Sequence, residues 1–291
     1  MYTTLISAAQ LQLLRQSGAP LMVFDCSFEL LQPEAGDEQY RQSRVPGSVR
    51  ADLNRHLSAA SGAPDAASGG RHPLPSRESF AHWLDSVGFD NAMQAVVYDR
   101  QGANYCGRLW WMLKWVGHEA AAILDGGLQA WQAGGAGTDH GIEHQGPLRS
   151  AANTRFKLLP CMASLVTTPT IERGLGRPGQ TLIDARAEAR FRGEVEPLDP
   201  VAGHIPGALN RPFALNLDAQ GRFKSAAALR AEFEELLAGR DPASVVHHCG
   251  SGVSAIPNLV AMEIAGLGRS ALYAGSWSEW CSDPSRVVAR G

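Results

Sequence analysis

The stretch Val245-Val246-His247-His248-Cys249-Gly250-Ser251-Gly252-Val253-Ser254-Ala255 decides the fold class of this chain. A β-branched pair ends a strand, a cysteine follows at once, two glycines permit a tight turn, and an apolar helix then begins. In open α/β sheets, ligands bind beyond the carboxyl ends of the strands, where helix N-termini point. The unpaired N–H groups of such a loop and of the first helical turn can converge on an anion. A cysteine in that cradle has its thiolate stabilised, and the cradle would equally hold a persulfide anion. Ser254 is expected to cap the helix, with Pro257 in its first turn, where a missing N–H costs little. The other role open to a cysteine at a strand end is that of a small buried hydrophobe.

Working outward, the stretch has a partner in the first half of the chain. Val245 lies 149 residues after Val96, Gly275 149 after Gly126 and Trp280 149 after Trp131. Asp184 in Leu182-Ile183-Asp184 lies 159 after Asp25 in Val23-Phe24-Asp25, and Pro206 lies 160 after Pro46. The chain is therefore duplicated, and the first copy holds about eleven extra residues between its Pro-Gly element and its Val-Val strand. The Ser/Ala/Gly-rich stretch from Ser58 to Gly70 falls in that interval and is expected to be a surface loop. Each copy alternates short apolar runs with helical patterns, such as 104–115 and 256–264, which implies an α/β fold on a mainly parallel sheet. The division expected is a first domain over 1–140, a Gly- and His-containing linker over 141–157 and a second domain over 158–291.

Bulk properties exclude several classes. The 291 residues are 44% hydrophobic and 19% charged, enough for two packed cores. Twenty-six basic and 29 acidic residues leave a net charge of −3, which argues against nucleic-acid and membrane-surface partners. No apolar run approaches membrane-spanning length, and the start, MYTTLISAAQ, lacks the features of an export signal. Five widely spaced cysteines (Cys26, Cys106, Cys161, Cys249 and Cys281) form no CxxC pair, so reduced thiols and a cytoplasmic location are expected, with no metal or organic cofactor implied.

Cys249-Gly250-Ser251-Gly252-Val253-Ser254 resembles the active-site loop of the rhodanese superfamily, and within it the pattern typical of 3-mercaptopyruvate sulfurtransferases. Gly203-His204-Ile205-Pro206-Gly207-Ala208 resembles a second signature of that superfamily, with Arg44-Val45-Pro46-Gly47-Ser48 as its weaker copy. Tyr273-Ala274-Gly275-Ser276-Trp277-Ser278-Glu279-Trp280 also fits. The resemblance implies two tandem rhodanese-like domains, each a mainly parallel sheet flanked by helices. Only the second is catalytic, since Arg100 stands opposite Cys249 at the 149 offset; the first would form a wall of the cleft.

The activity so implied is double displacement: Cys249 takes the outer sulfur of 3-mercaptopyruvate or thiosulfate as a persulfide and passes it to a thiol, to cyanide or to a protein acceptor. By the same resemblance Ser251, Asp52 and His72 handle the proton on the departing enolate. Gly250, Gly252, Val253 and Ser254 line the sulfur, and Arg190 receives the carboxylate. Without the resemblance, Asp52 and His72 are a turn aspartate and a loop histidine, and Arg190 a surface ion pair.

Mercaptopyruvate enzymes usually carry a second arginine about nine residues after the first, and Glu194-Val195-Glu196-Pro197-Leu198-Asp199 has none. Two outcomes stay open: a preference for thiosulfate, or replacement by Arg71, Arg192 or Arg211. Arg186, two residues after Asp184, is expected to be structural. A Cys-dependent phosphatase would need an arginine six places after its cysteine, and Ala255 stands there. A sulfur-trafficking module with a protein acceptor is the remaining alternative. His247 and His248 point to opposite faces of a strand and so form no metal pair.

Overall fold

The structure, a computed structural model, describes residues 1–141 and 156–291. The expected linker over 141–157 therefore lies almost wholly outside the described residues. The chain forms two compact units. The first comprises Met1–Ser58, Pro75–Met162 and Ala219–Arg222, and the second Ala59–Leu74, Ala163–Asp218 and Phe223–Gly291. The segment 59–74, inside the range expected for the first domain, thus belongs to the second unit.

In the first unit, strands β1 (Leu5–Ile6), β2 (Leu21–Asp25), β3 (Val49–Arg50), β4 (Gln94–Tyr98) and β5 (Ala121–Leu124) form one sheet in the order β1-β5-β4-β2-β3. Every pairing is parallel. In the second unit, β6 (Ser164–Leu165), β7 (Thr181–Asp184), β8 (Leu209–Asn210), β9 (Val245–His248) and β10 (Ala271–Leu272) repeat that order as β6-β10-β9-β7-β8, again all parallel. The two sheets are copies, as the offsets imply, and helices make the crossovers that parallel strands require.

The strands form where the sequence runs apolar without alternation, because helices cover both faces of such sheets. All five residues of β4 and all four of β9 are buried. One core gathers Ile6, Val23, Val96, Leu124 and Trp131; the other gathers Ile171, Leu182, Ile205, Val246, Trp277 and Trp280. Tryptophans 110, 111 and 115 are buried as well. The polar end of β9 is the exception that matters. His247 and His248 are fully buried, and burial drives the His247 imidazole down to about 3, so it packs as a neutral ring with Nε2 3.1 Å from Met262 Sδ. β9 occupies the centre of its sheet, so its carboxyl end delivers Cys249 to the middle of the edge where ligands bind.

Candidate active site

Cys249 follows β9 directly and is buried. Its backbone N–H donates to Ser276 Oγ (3.1 Å), its carbonyl accepts from Trp277 N (3.0 Å), and the Gly250 carbonyl accepts from Ser278 N (2.9 Å). The loop is thereby bound to the short helix Ser276–Trp280. Gly252 has φ +72°, and a Cβ there would run into the Ala274 carbonyl, so the turn needs glycine on both counts. The helix Ile256–Ile264 begins as expected with proline in its first turn, but Ala255 occupies the N-cap and no side chain caps it. The expectation that Ser254 caps this helix is therefore wrong: the helix begins one residue later, and its first N–H groups stay without a side-chain acceptor.

The first unit shows what this loop conformation does. Ala103, at the place of Gly252, also has positive φ (64°). There the N–H groups of Gln101 (3.0 Å) and Ala103 (3.0 Å) reach Asp99 Oδ1, and those of Tyr105 (2.8 Å) and Cys106 (2.9 Å) reach Asp99 Oδ2. The loop closes on a carboxylate from its own chain. In the second unit His248 replaces Asp99, and burial drives it toward the neutral form. Among the described residues the N–H groups of Gly250, Ser251, Val253, Ser254 and Ala255 donate to no protein acceptor. In the second unit no side chain of the loop takes the place of that carboxylate, and N–H groups so arranged can receive an anion.

Behind and beside the loop stands a chain of ions. Asp184, at the end of β7, is gripped by Arg186 through Nε (3.1 and 3.0 Å) and Nη2 (2.7 Å). Burial pushes the Asp184 carboxyl up, but the neighbouring His248 ring and the Arg186 guanidinium overcome this and hold it below its ordinary value. Arg186 Nη1 reaches Glu196 Oε2 (3.3 Å), and its guanidinium lies 4.8 Å from the Trp277 ring centre. Arg186 is thus structural, as expected.

Arg190, on the single turn Glu188–Phe191, binds Glu196 through Nε (3.2 Å) and Nη2 (2.7 Å) and reaches Asp199 Oδ2 (3.2 Å). Arg71 Nη1 binds the other oxygen of Asp199 at 2.6 Å. Both guanidinium groups lie over the residue after the cysteine. A Cβ on Gly250 would stand 3.1 Å from Arg71 Nη2 and 3.6 Å from Arg190 Nη1.

Ser251 lies two residues after Cys249 and its Oγ is 2.7 Å from His72 Nδ1; both side chains are buried. His72 reaches this place because the end of the inserted segment packs on the second unit. Arg71 N donates to Ser278 Oγ (3.0 Å), and Gly70, at φ +84°, presses its α-carbon toward the Gly275 carbonyl. The stretch 58–70 contains no helix or strand, as expected of a loop, but residues 66–70 are half-buried rather than wholly at the surface.

Of the residues singled out in the sequence, Cys249, Gly250, Ser251, Gly252, Val253, Ser254, His72 and Arg190 lie in the second unit. Asp52 lies in the first. Its carboxylate binds Arg50 (3.0 Å) and Arg55 (3.4 Å) and accepts the N–H groups of Asn54 and Arg55 (both 2.9 Å). Sequence reasoning assigned no part to Asp199, Glu196 or Ser276, and their signal was only their place in motifs already in view. Cys26 and Cys106 are buried, and burial pushes both thiols well up, which suits structural cysteines. Among the described residues no group of three or more His, Cys, Asp and Glu could hold a metal ion. No helix among them is long and apolar enough to cross a membrane.

Comparison with known proteins follows this geometry. The Rhodanese-like domain family matches the chain twice, over residues 7–134 and 167–283. A probable 3-mercaptopyruvate sulfurtransferase of Pseudomonas aeruginosa is 43% identical over 288 residues, 99% of this chain and 98% of that protein. A putative thiosulfate sulfurtransferase of Mycobacterium tuberculosis, SseB, is 38% identical over 289 residues, 99% of this chain and 97% of that protein. The solved structure of 3-mercaptopyruvate sulfurtransferase from Leishmania major is similar with a TM-score of 0.80 at 29% identity, covering 96% of this chain and 74% of that one.

Proposed function

The chain belongs to the rhodanese family and is a sulfurtransferase, and from that premise we propose that it draws sulfur from 3-mercaptopyruvate onto Cys249 as a persulfide. The Cys249 thiolate attacks the donor sulfur, an S–S bond forms, and the C–S bond breaks with its electrons going to the enolate of pyruvate. The donor's own S–H proton stays on the new outer sulfur. The enolate takes a proton through the Ser251 hydroxyl, which His72 at 2.7 Å reprotonates. An acceptor thiolate or cyanide then attacks the outer sulfur, and the pair of electrons of the S–S bond returns to Cys249. The unengaged N–H groups of residues 250, 251 and 253–255 stabilise the Cys249 thiolate before the first displacement and as it is regenerated in the second.

The observation that carries mercaptopyruvate over thiosulfate is the His72–Ser251 pair. Sulfite leaves thiosulfate as a stable anion and needs no proton, whereas an enolate does. Asp52 belongs to this proposal through its motif alone, its carboxylate being bound locally to Arg50 and Arg55. Steady-state sulfur transfer to cyanide, comparing kcat/KM for both donors, tests the reading, with Cys249→Ala as control. The expected result is a strong preference for mercaptopyruvate and no transfer in the control. A preference for thiosulfate overturns the donor, and activity surviving in Cys249→Ala overturns the persulfide.

A further inference from the structure

We infer that Arg71 is the second cation of the donor site, so that the carboxylate of the donor is received by Arg71 together with Arg190. This rests on the reading that Cys249 takes sulfur from a 2-oxo acid thiol. The residue nine places after Arg190, where the resemblance leads one to expect an arginine, is Asp199. That reversal of charge would repel a carboxylate if nothing answered it. The structure answers it from the other end of the unit's sequence: Arg71 binds Asp199 at 2.6 Å. One carboxylate takes Arg71 on Oδ1 and Arg190 on Oδ2, which sets two guanidinium groups side by side.

Their remaining donors lie over Gly250, the residue that follows the cysteine. Arg71 Nη2 and Arg190 Nη1 are the side-chain atoms nearest to a Cβ built on Gly250, at 3.1 and 3.6 Å. Arg71 Nε is buried and has no hydrogen-bond partner, which is costly for a guanidinium N–H when no anion is bound beside it. The backbone is fixed for the task, since Arg71 N is bonded to Ser278 Oγ and the next residue, His72, is bonded to Ser251. Recognition of the carboxylate and delivery of the proton are therefore carried by adjacent residues of one segment.

The other two arginines that might have filled the gap are engaged elsewhere. Arg192 is exposed and pairs with Glu188, and Arg211 binds Asn216 (3.1 Å) and Glu232 (2.7 Å).

The test compares 3-mercaptopyruvate with 1-mercapto-2-propanone, which keeps the thiol and ketone and puts a methyl group in place of the carboxylate. In Arg71→Gln the preference for the carboxylate donor, as a ratio of kcat/KM values, should fall roughly 10- to 100-fold, the worth of a hydrogen bond to a charged group. The fall should appear mainly as a raised KM. A ratio within about twofold of wild type, or an equal loss on both donors, overturns the inference. Should the glutamine variant fail to fold, Arg71→Lys carries the test. Lysine keeps the charge but not the fork, so the ratio should fall several-fold, and an unchanged ratio overturns the inference. Failure of the parent reading looks different: the wild-type protein itself then transfers no sulfur from 3-mercaptopyruvate through Cys249.

Discussion

His72 Nδ1 stands 2.7 Å from Ser251 Oγ, and both side chains are buried. A buried hydroxyl and imidazole this close share one proton, and the pair can pass it to a third group that enters the loop. Removing either member should therefore cost the proton transfer. Ser251→Ala and His72→Gln are each expected to lower kcat/KM for mercaptopyruvate about 100-fold. The loss for thiosulfate should be much smaller, because sulfite leaves without a proton. The double variant should be little worse than either single one, since the two act as a unit. Steady-state kinetics on both donors check this, and equal losses on the two would assign the pair to loop structure.

Gly252 is where the loop is least tolerant. An alanine there meets both a left-handed backbone and the Ala274 carbonyl. Gly252→Ala should destabilise the protein by roughly 2–5 kcal/mol, combining the backbone and overpacking costs. A melting curve should show a midpoint lower by roughly 5–15 °C. Gly207→Ala is the comparison: it shares positive φ (78°), but nothing lies within 4 Å of its Cβ, so only the backbone cost remains.

Placing a cysteine at position 100 should not make the first unit catalytic. Asp99 already fills the N–H cradle, and Arg100 is bound to Asp25 (3.2 Å), to Ser27 and to the carbonyls of Gln39 and Ser43. The double variant Arg100→Cys with Cys249→Ala should form no thiocyanate from either donor. It should also be less stable than Cys249→Ala alone by about 3–5 kcal/mol, because Asp25 is left buried without its cation. Thiocyanate release above background in that protein would show that the cradle tolerates a second anion.

Much of this was legible in the sequence because it is local or repeated. The strand, cysteine, glycine turn and helix around Cys249 are contiguous, and the constant offset of 149 identifies the two sheets as copies. What lay hidden is contact at long range. Arg71 and Asp199 are 128 residues apart, and Cys249 N and Ser276 Oγ are 27 apart. No periodicity links such pairs. The absence of an arginine near 199 could be seen, but not that the aspartate in its place holds another arginine. Ser254 was misjudged as a cap because capping depends on where the first helical turn starts, and a one-residue shift defeats it.

His247 should make the protein sensitive to mild acid, independently of catalysis. Burial is the first cause of its depressed pKa, and the neighbouring His248 and Arg211 add to it, bringing the ring from its ordinary 6.5 to about 3. Below 6.5 the unfolded chain binds a proton at this residue and the folded chain does not, so the unfolded state is favoured as pH falls. The stability lost amounts to about 1.4 kcal/mol per pH unit and continues until the folded pKa is reached near 3. His247→Leu removes the titration. Nδ1 of the ring has no hydrogen-bond partner, so the substitution leaves no polar group stranded there. At pH 7.5 the variant should lie within about 1 kcal/mol of wild type, the cost of an imperfect volume match. At pH 5 it should have gained about 2 kcal/mol relative to wild type, from 1.5 pH units of missing proton uptake. Urea unfolding at the two pH values measures the difference, and equal pH dependence in both proteins would mean that His247 is protonated while folded.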